Sequence, residues 1–185
     1  GNAIADVLKA VSLPELPLLV LGQSTGCAAL AEFARRNPWP FARAAVLAPL
    51  VRPAGGTSVR LGHLLLHRFT DSLARKFNAN SSDASFLGFV QRDPLQCLRV
   101  SLRWIGALKR WLAGLSLEDL GVGPVLVVQG RKDGTVDWQY NMDAIARLYP
   151  GTRIHYLPDA GHQLANESSA IREQYYQVLD EHLFP

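Results

Sequence analysis

The stretch that decides the fold is Leu18-Leu19-Val20-Leu21-Gly22-Gln23-Ser24-Thr25-Gly26, in which an apolar run passes directly into a G-x-S-x-G motif. The apolar run predicts a buried strand, and the Ala-rich stretch 25–36 predicts a helix. In such a tight strand-to-helix turn the central serine stands out at the edge of the sheet. We expect the glycines at 22 and 26 to remove clashes with the neighbouring strands and helices. The motif therefore predicts that Ser24 is a nucleophile.

Short apolar strands and amphipathic helices alternate in the two outer parts of the chain. Further strands are predicted at 43–48, 125–129 and 153–157, and further helices at 2–11, 140–148 and 169–183. This alternation is typical of an α/β fold with a mostly parallel sheet and helices on both faces. We therefore predict a core formed by residues 1–51 and 117–185.

Residues 52–116 show no convincing strand and are predicted to form a helical insertion. Leu61, Leu65, Phe69 and Leu73 recur every four positions, which predicts a helix over 58–77. Asp93-Pro94 is expected to open a second long helix, with Asp93 as its N-cap. The apolar face predicted for that helix comprises Leu95, Leu98, Leu102, Ile105 and Leu112.

The second predicted helix also carries a basic stripe of Arg99, Arg103 and Arg110, with Trp104 and Trp111 at its border. Two interpretations stay open. The stripe is either a solvated face, or a surface that makes peripheral contact with anionic lipid headgroups.

Composition excludes several classes of protein. The 185 residues are 48% hydrophobic and 19% charged, which indicates one globular domain and not a disordered, fibrous or disulfide-rich chain. A net charge of +3 is too small to indicate binding of nucleic acid. Cys27 and Cys97 have no metal-ligand spacing and are expected to be buried free thiols, which favours a cytoplasmic protein.

A nucleophilic serine needs a base and an acid that orients the base. Asp133 and His162 each follow a predicted strand, so both are expected at the carboxyl edge of the sheet, near Ser24. Asp137 is the alternative to Asp133, although it could cap the following helix instead. Asp159 is expected to shape the turn before His162.

No metal site is predicted. His63 and His67 are four positions apart, but no third ligand has suitable spacing, so a solvated or pocket-lining pair is the favoured interpretation.

Together, Gly22-Gln23-Ser24-Thr25-Gly26, Gly130-Arg131-Lys132-Asp133 and Gly161-His162 resemble the α/β-hydrolase fold. With Arg92-Asp93-Pro94-Leu95, the chain is most similar to the lysophospholipase and monoacylglycerol lipase-like group, also called serine aminopeptidase S33-like hydrolases. The resemblance implies a serine esterase with Ser24 as nucleophile, His162 as base and Asp133 as its orienting acid. It also implies that the backbone N–H of Thr25 stabilises the oxyanion and that residues 52–116 form a lid.

The expected substrate is a small-molecule ester or lipid, and no cofactor is needed. Gln23, Leu65, Phe69 and Trp104 are the predicted pocket residues. Two alternatives stay open: a non-catalytic binding module on the same fold, and a serine aminopeptidase. Members of the group have several strands before the elbow, whereas 23 residues precede Ser24 here. We therefore expect that N-terminal strands are missing, and that an N-terminal companion segment or a second copy completes the sheet.

Overall fold

The structure, a computed structural model, describes residues 2–11, 16–55, 70–75 and 77–184. Its strands are β1 (Leu18–Gln23), β2 (Phe41–Leu47), β3 (Ser72–Ala74), β4 (Arg99–Ser101), β5 (Leu126–Gly130) and β6 (Arg153–Leu157). Its α-helices are α1 (Asn2–Ala10), α2 (Thr25–Arg36), α3 (Ala84–Arg92), α4 (Leu102–Ala113), α5 (Trp138–Leu148) and α6 (Ser169–Leu183), with a short 3-10 helix at Leu164–Asn166.

Four strands form a parallel sheet in the order β1-β2-β5-β6. Successive residues of β2 point to opposite faces of this sheet, as the period of a strand requires. Ala44 and Val46 pack on one face with residues of α2 and α5, whereas Ala45 and Leu47 pack on the other with residues of α6. Helices therefore cover both faces, and the predicted α/β fold with a parallel sheet is confirmed.

The first strand, β1, forms an edge of this sheet within the described residues. All five residues of β5 are buried, whereas only Gly22 of β1 is buried and Leu21 is 47% exposed. An exposed strand edge presents unpaired backbone groups to other chains. The companion segment or second copy expected there stays a prediction.

The prediction of a helix over 58–77 is wrong for residues 72–74. Residues 56–69 lie outside the described part of the chain. Residues 72–74 form β3, which pairs antiparallel with β4 and places Leu73 opposite Val100. The expectation that 52–116 contain no strand is therefore wrong. The two strands are three residues long each, too short to show the alternation that identifies a strand in sequence.

The helix expected from Asp93 begins nine residues later, at Leu102. Asp93 instead closes α3: its N–H donates to the carbonyl of Phe89, and its carboxylate accepts the N–H of Leu95 in a turn. An Asp-Pro pair fits either end of a helix, since proline cannot continue one. The predicted apolar face is consequently wrong at Leu95 and Leu98, which are 92% and 66% exposed.

The same shift changes two other expectations. Arg99 lies on β4 and not on a helix with Arg103 and Arg110. Of the two cysteines, Cys27 is buried as predicted, but Cys97 is exposed. None of the helices in the described ranges is long and apolar enough to cross a membrane.

The two glycines of the G-x-S-x-G motif differ in the space around them. A Cβ at Gly22 would lie 2.5 Å from Leu30 Cδ1 and 3.1–3.2 Å from the backbone of Gly26 and Cys27. A Cβ at Gly26 would have no described atom within 4 Å, so the expectation of a clash there is wrong. Close packing therefore requires glycine at position 22 only.

We predict opposite effects of alanine at these two positions. Gly22→Ala should lower the free energy of unfolding by about 1–3 kcal/mol, because Leu30 is buried and the backbone contacts cannot yield easily. Gly26→Ala should raise it by up to about 1 kcal/mol, because alanine is favoured within a helix. Urea denaturation of the two variants checks this, and equal destabilisation by both would contradict it.

Candidate active site

The turn between β1 and α2 holds Ser24 in a conformation that few non-glycine residues adopt, with φ 51° and ψ −114°. Hydrogen bonds fix its backbone on both sides. Its N–H donates to the carbonyl of Leu47 at 2.9 Å, and its carbonyl accepts the N–H groups of Cys27 and Leu50, both at 3.1 Å. The end of β2 therefore helps to fix the position of Ser24. This tight turn between a strand and a helix is the elbow that the sequence predicted.

His162 and Ser24 are in hydrogen-bond contact, with His162 Nε2 2.9 Å from Ser24 Oγ. On its other side, His162 Nδ1 lies 2.8 Å from Asp133 Oδ2. A carboxylate can only accept hydrogen bonds, so Nδ1 carries the proton and Nε2 is left to accept the hydroxyl proton of Ser24. The structure thus brings together the three residues predicted for the site, and both Asp133 and His162 are buried.

The carboxylate of Asp133 is held by four donors. Its Oδ1 accepts the N–H groups of Thr135 at 2.8 Å and Val136 at 3.2 Å. Its Oδ2 accepts from Gln129 Nε2 at 3.2 Å as well as from His162. Every lone pair that points into the protein is therefore used, so the carboxylate has one orientation towards the imidazole.

Asp137, the alternative acid, serves another purpose in this fold. Its side chain accepts the N–H of Tyr140 and so caps α5, and it forms an ion pair with Arg52. Of these two carboxylates, only that of Asp133 contacts His162. Asp159 lies on the turn before His162, as expected, and pairs with Lys132 at the surface.

Thr25 is the first residue of α2, so its backbone N–H is among the helix donors that have no partner within the helix. This N–H lies directly after Ser24, next to the positive end of the helix dipole. The role of the Thr25 N–H as an oxyanion donor stays a prediction.

The predicted pocket residues have different outcomes. Gln23 lies against the loop after β6, with its Nε2 3.4 Å from the carbonyl of His162. Trp104 is half-exposed and lines a cavity of about 350 Å³ together with Asn80 and Thr135. Leu65 and Phe69, like the His63–His67 pair, lie outside the described residues.

Two polar residues that line the cavity, Asn80 and Thr135, also contact His162 and Asp133. The backbone carbonyl of Asn80 accepts the N–H of His162 at 2.9 Å, and the N–H of Thr135 donates to Asp133. Its apolar lining comprises Phe77, Leu87, Val90, Val100 and Trp104. The cavity therefore combines an apolar wall with two residues that touch the proposed acid and base.

Cys27 is the other potential nucleophile near the turn. Burial raises the pKa of its thiol to about 12, and its Sγ lies 2.9 Å from the carbonyl oxygen of Gly22. The thiol therefore stays protonated at neutral pH, and a protonated thiol is a poor nucleophile.

Sequence reasoning missed three residues that hold the site. Gln129 supports Asp133 from β5, Asn80 anchors the backbone of His162, and the buried carboxylate of Glu167 binds the N–H of Gly161 at 2.7 Å. Asn80 is far from His162 in the sequence, and no local pattern predicts such a contact. The burial of Glu167, which sets it apart from the exposed acidic residues of the chain, becomes visible only in the structure.

Comparisons with solved structures identify the fold. The chain is similar to a soluble variant of monoglyceride lipase from Saccharomyces cerevisiae, solved with a substrate analogue (TM-score 0.79, 17% identity, 99% of this chain and 66% of that chain). It is also similar to monoacylglycerol lipase from Paleococcus ferrophilus (0.75, 17%, 97% and 72%). A third similar structure is mouse alpha/beta hydrolase domain-containing protein 10 (0.64, 18%, 98% and 67%). The shared fold is the α/β-hydrolase fold, and this chain spans about two thirds of the length of these structures.

The comparison with curated protein sequences gave no match. A family model does match, over residues 3–169, and its description is serine aminopeptidase, S33. The match runs from α1 to the start of α6 and includes Ser24, Asp133 and His162. This chain therefore belongs to the serine aminopeptidase S33 family.

Proposed function

We propose that this chain carries the catalytic centre of a serine hydrolase that cleaves carboxylic esters. The observation that carries the proposal is the continuous hydrogen-bonded series from Asp133 through His162 to Ser24, at the strained turn after β1. A hydroxyl in contact with an imidazole, itself oriented by a buried carboxylate, is the arrangement that activates serine for acyl transfer.

In the proposed reaction Ser24 Oγ attacks the ester carbonyl carbon while its proton passes to His162 Nε2. The resulting oxyanion accepts a hydrogen bond from the N–H of Thr25. The intermediate collapses to an acyl-serine, and the imidazolium gives its proton to the departing alcohol. Water then attacks the acyl group, His162 takes the water proton and returns it to Ser24 Oγ, and the carboxylic acid is released. Asp133 holds the imidazole and stabilises its charged form throughout.

The substrate proposed is an ester of an acyl chain, such as a monoacylglycerol or a lysophospholipid. The apolar lining of the 350 Å³ cavity supports this, with residues 52–116 acting as the cap that provides most of it. Two of the similar solved structures are named as monoglyceride or monoacylglycerol lipases, which agrees with this substrate class.

Aminopeptidase activity, which the family description suggests, is the second candidate. A free α-amine is bound most readily by a carboxylate. The described lining of the cavity has Arg75 as its one charged side chain and includes no Asp or Glu. A cation there disfavours an amine, so the ester is the preferred substrate class.

Contact with a lipid surface is proposed for the outer face of the cap. Between positions 89 and 104, four large apolar side chains are exposed: Phe89, Leu95, Leu98 and Trp104. Arg99 and Arg103 lie among them in the sequence and are also exposed. Exposed apolar groups with interspersed cations are typical of surfaces that contact anionic lipid.

We expect Leu95→Ser combined with Leu98→Ser to weaken co-sedimentation with phosphatidylglycerol-containing vesicles. Phe184→Ser is the matched control, because Phe184 is equally exposed but lies at the end of α6. Equal binding of all three proteins would contradict the contact.

The central prediction concerns the nucleophile. Ser24→Ala should lower the rate of hydrolysis of a short-chain nitrophenyl ester by at least about 10⁴-fold, because the proposed acyl-enzyme forms on Ser24 Oγ. Steady-state kinetics on the folded variant measure this, with circular dichroism as the check of folding. Turnover equal to that of the unmodified protein would overturn the proposal.

Asp133→Asn and Asp137→Asn form a matched control pair. Asp133→Asn should lower kcat by about 10³- to 10⁴-fold, since the amide no longer fixes the imidazole tautomer. Asp137→Asn keeps the helix cap and should change kcat by less than about threefold. The opposite order would assign the acid to Asp137.

A further inference from the structure

Glu167 is a fully buried carboxylate that the proposed reaction does not use. It lies between the 3-10 helix and α6, and three donors from two separate parts of the chain converge on it. Its Oε1 accepts the N–H of Gly161 at 2.7 Å. Its Oε2 accepts both the N–H of Ser82 at 2.6 Å and the Ser82 hydroxyl at 2.5 Å.

Such a carboxylate is costly to bury. An unpaired buried charge destabilises a protein by several kcal/mol, and within the described part of the chain no cation forms an ion pair with Glu167. Its charge is compensated by the hydrogen bonds from Ser82 and Gly161. The position therefore requires an acceptor at both oxygens, which a neutral amide cannot provide.

The groups that Glu167 holds belong to the loop that carries His162. Gly161 immediately precedes His162, and the N–H groups of His162 and Gln163 both donate to the carbonyl of Asn80. A Cβ on Gly161 would lie 2.7 Å from that same carbonyl oxygen, so the two segments are in close contact. The histidine loop is thus fixed from one side by Glu167 and from the other by Asn80.

The second segment held by Glu167 is the start of α3, within residues 52–116. The Ser81 hydroxyl donates to the carbonyl of Asn166 at 2.6 Å and accepts the N–H of Asp83, and Asp83 is the N-cap of α3. The position of α3 is therefore connected to the position of the histidine loop through this series of hydrogen bonds.

We propose that Glu167 is a positioning residue that keeps His162 Nε2 within hydrogen-bond distance of Ser24 Oγ by tying the histidine loop to the start of α3. The effect of Glu167 on catalysis rests on the proposed ester hydrolase function. Its effect on the position of the His162 imidazole does not, because the imidazole can be observed without a substrate.

Glu167→Gln is the direct test. The glutamine side chain has one acceptor oxygen, so either Gly161 or Ser82 loses the partner of its backbone N–H. We expect the downfield NMR resonance of the His162 Nδ1 proton to shift or broaden, and kcat for ester hydrolysis to fall on the order of 100-fold with KM little changed. Glu173→Gln removes the same charge from an exposed position on α6 and should change neither quantity.

A folded Glu167→Gln protein with an unchanged His162 resonance would overturn the proposal. If the resonance moves but the unmodified protein hydrolyses no ester, the positioning role holds and the proposed function fails. If the resonance moves and kcat per titrated active site stays the same, Glu167 has no part in catalysis and the proposal is wrong.

Ser82→Ala is the second variant, in case Glu167→Gln does not fold. It removes the hydroxyl that donates to Glu167 and accepts the N–H of Ser168, but it leaves the carboxylate and its bonds to the backbone N–H groups of Gly161 and Ser82 in place. It should move the same resonance in the same direction by a smaller amount. An unaltered His162 resonance in this variant would contradict the link between the start of α3 and the histidine.

Discussion

At Ser24 the backbone takes a positive φ of 51°, a conformation that costs a residue other than glycine about 1–3 kcal/mol. Hydrogen bonds offset this cost: the N–H of Ser24 donates to the carbonyl of Leu47, and the N–H groups of Cys27 and Leu50 donate to the carbonyl of Ser24. The bonds to Leu47 and Leu50 depend on the pairing of β1 with β2, in which Gln23 lies opposite Leu47, whereas Cys27 lies in the first turn of α2. The position of the Ser24 hydroxyl therefore depends on sheet formation as well as on the turn sequence.

The parallel sheet explains why the other two residues reach the serine. Asp133 follows β5 and His162 follows β6, so both loops leave the sheet at its carboxyl edge, where Ser24 also stands. Close packing brings the loops together: a Cβ on Gly130 would lie 2.2 Å from the carbonyl oxygen of Gly161. The contact between Asp133 and His162 therefore depends on a glycine at the end of β5.

The parts of the fold that sequence predicted are those in which local pattern and long-range packing agree. The apolar strands and the order Ser24, Asp133, His162 follow from such patterns, and the structure brings these side chains into contact. The prediction was wrong in the insertion, where β3 and β4 are too short to show a period and where Asp93-Pro94 fits either end of a helix. Gln129 and Glu167 were missed because the apolar period of strands and helices carries no information on buried polar contacts. Gln129 binds Asp133 four positions later, and Glu167 binds Gly161, six positions earlier, and the distant Ser82.

The reactivity proposed for Ser24 depends on the strained turn after β1 together with the contact between His162 Nε2 and Ser24 Oγ. The measurement that tests this most directly is treatment of the folded protein with a fluorophosphonate, followed by mass-spectrometric mapping of the modified peptide. The account predicts one adduct, on Ser24 Oγ, and its loss when His162 is replaced by alanine in a protein that still folds. An adduct on another residue, or none on the folded unmodified protein, would contradict the assignment of Ser24 as an activated nucleophile.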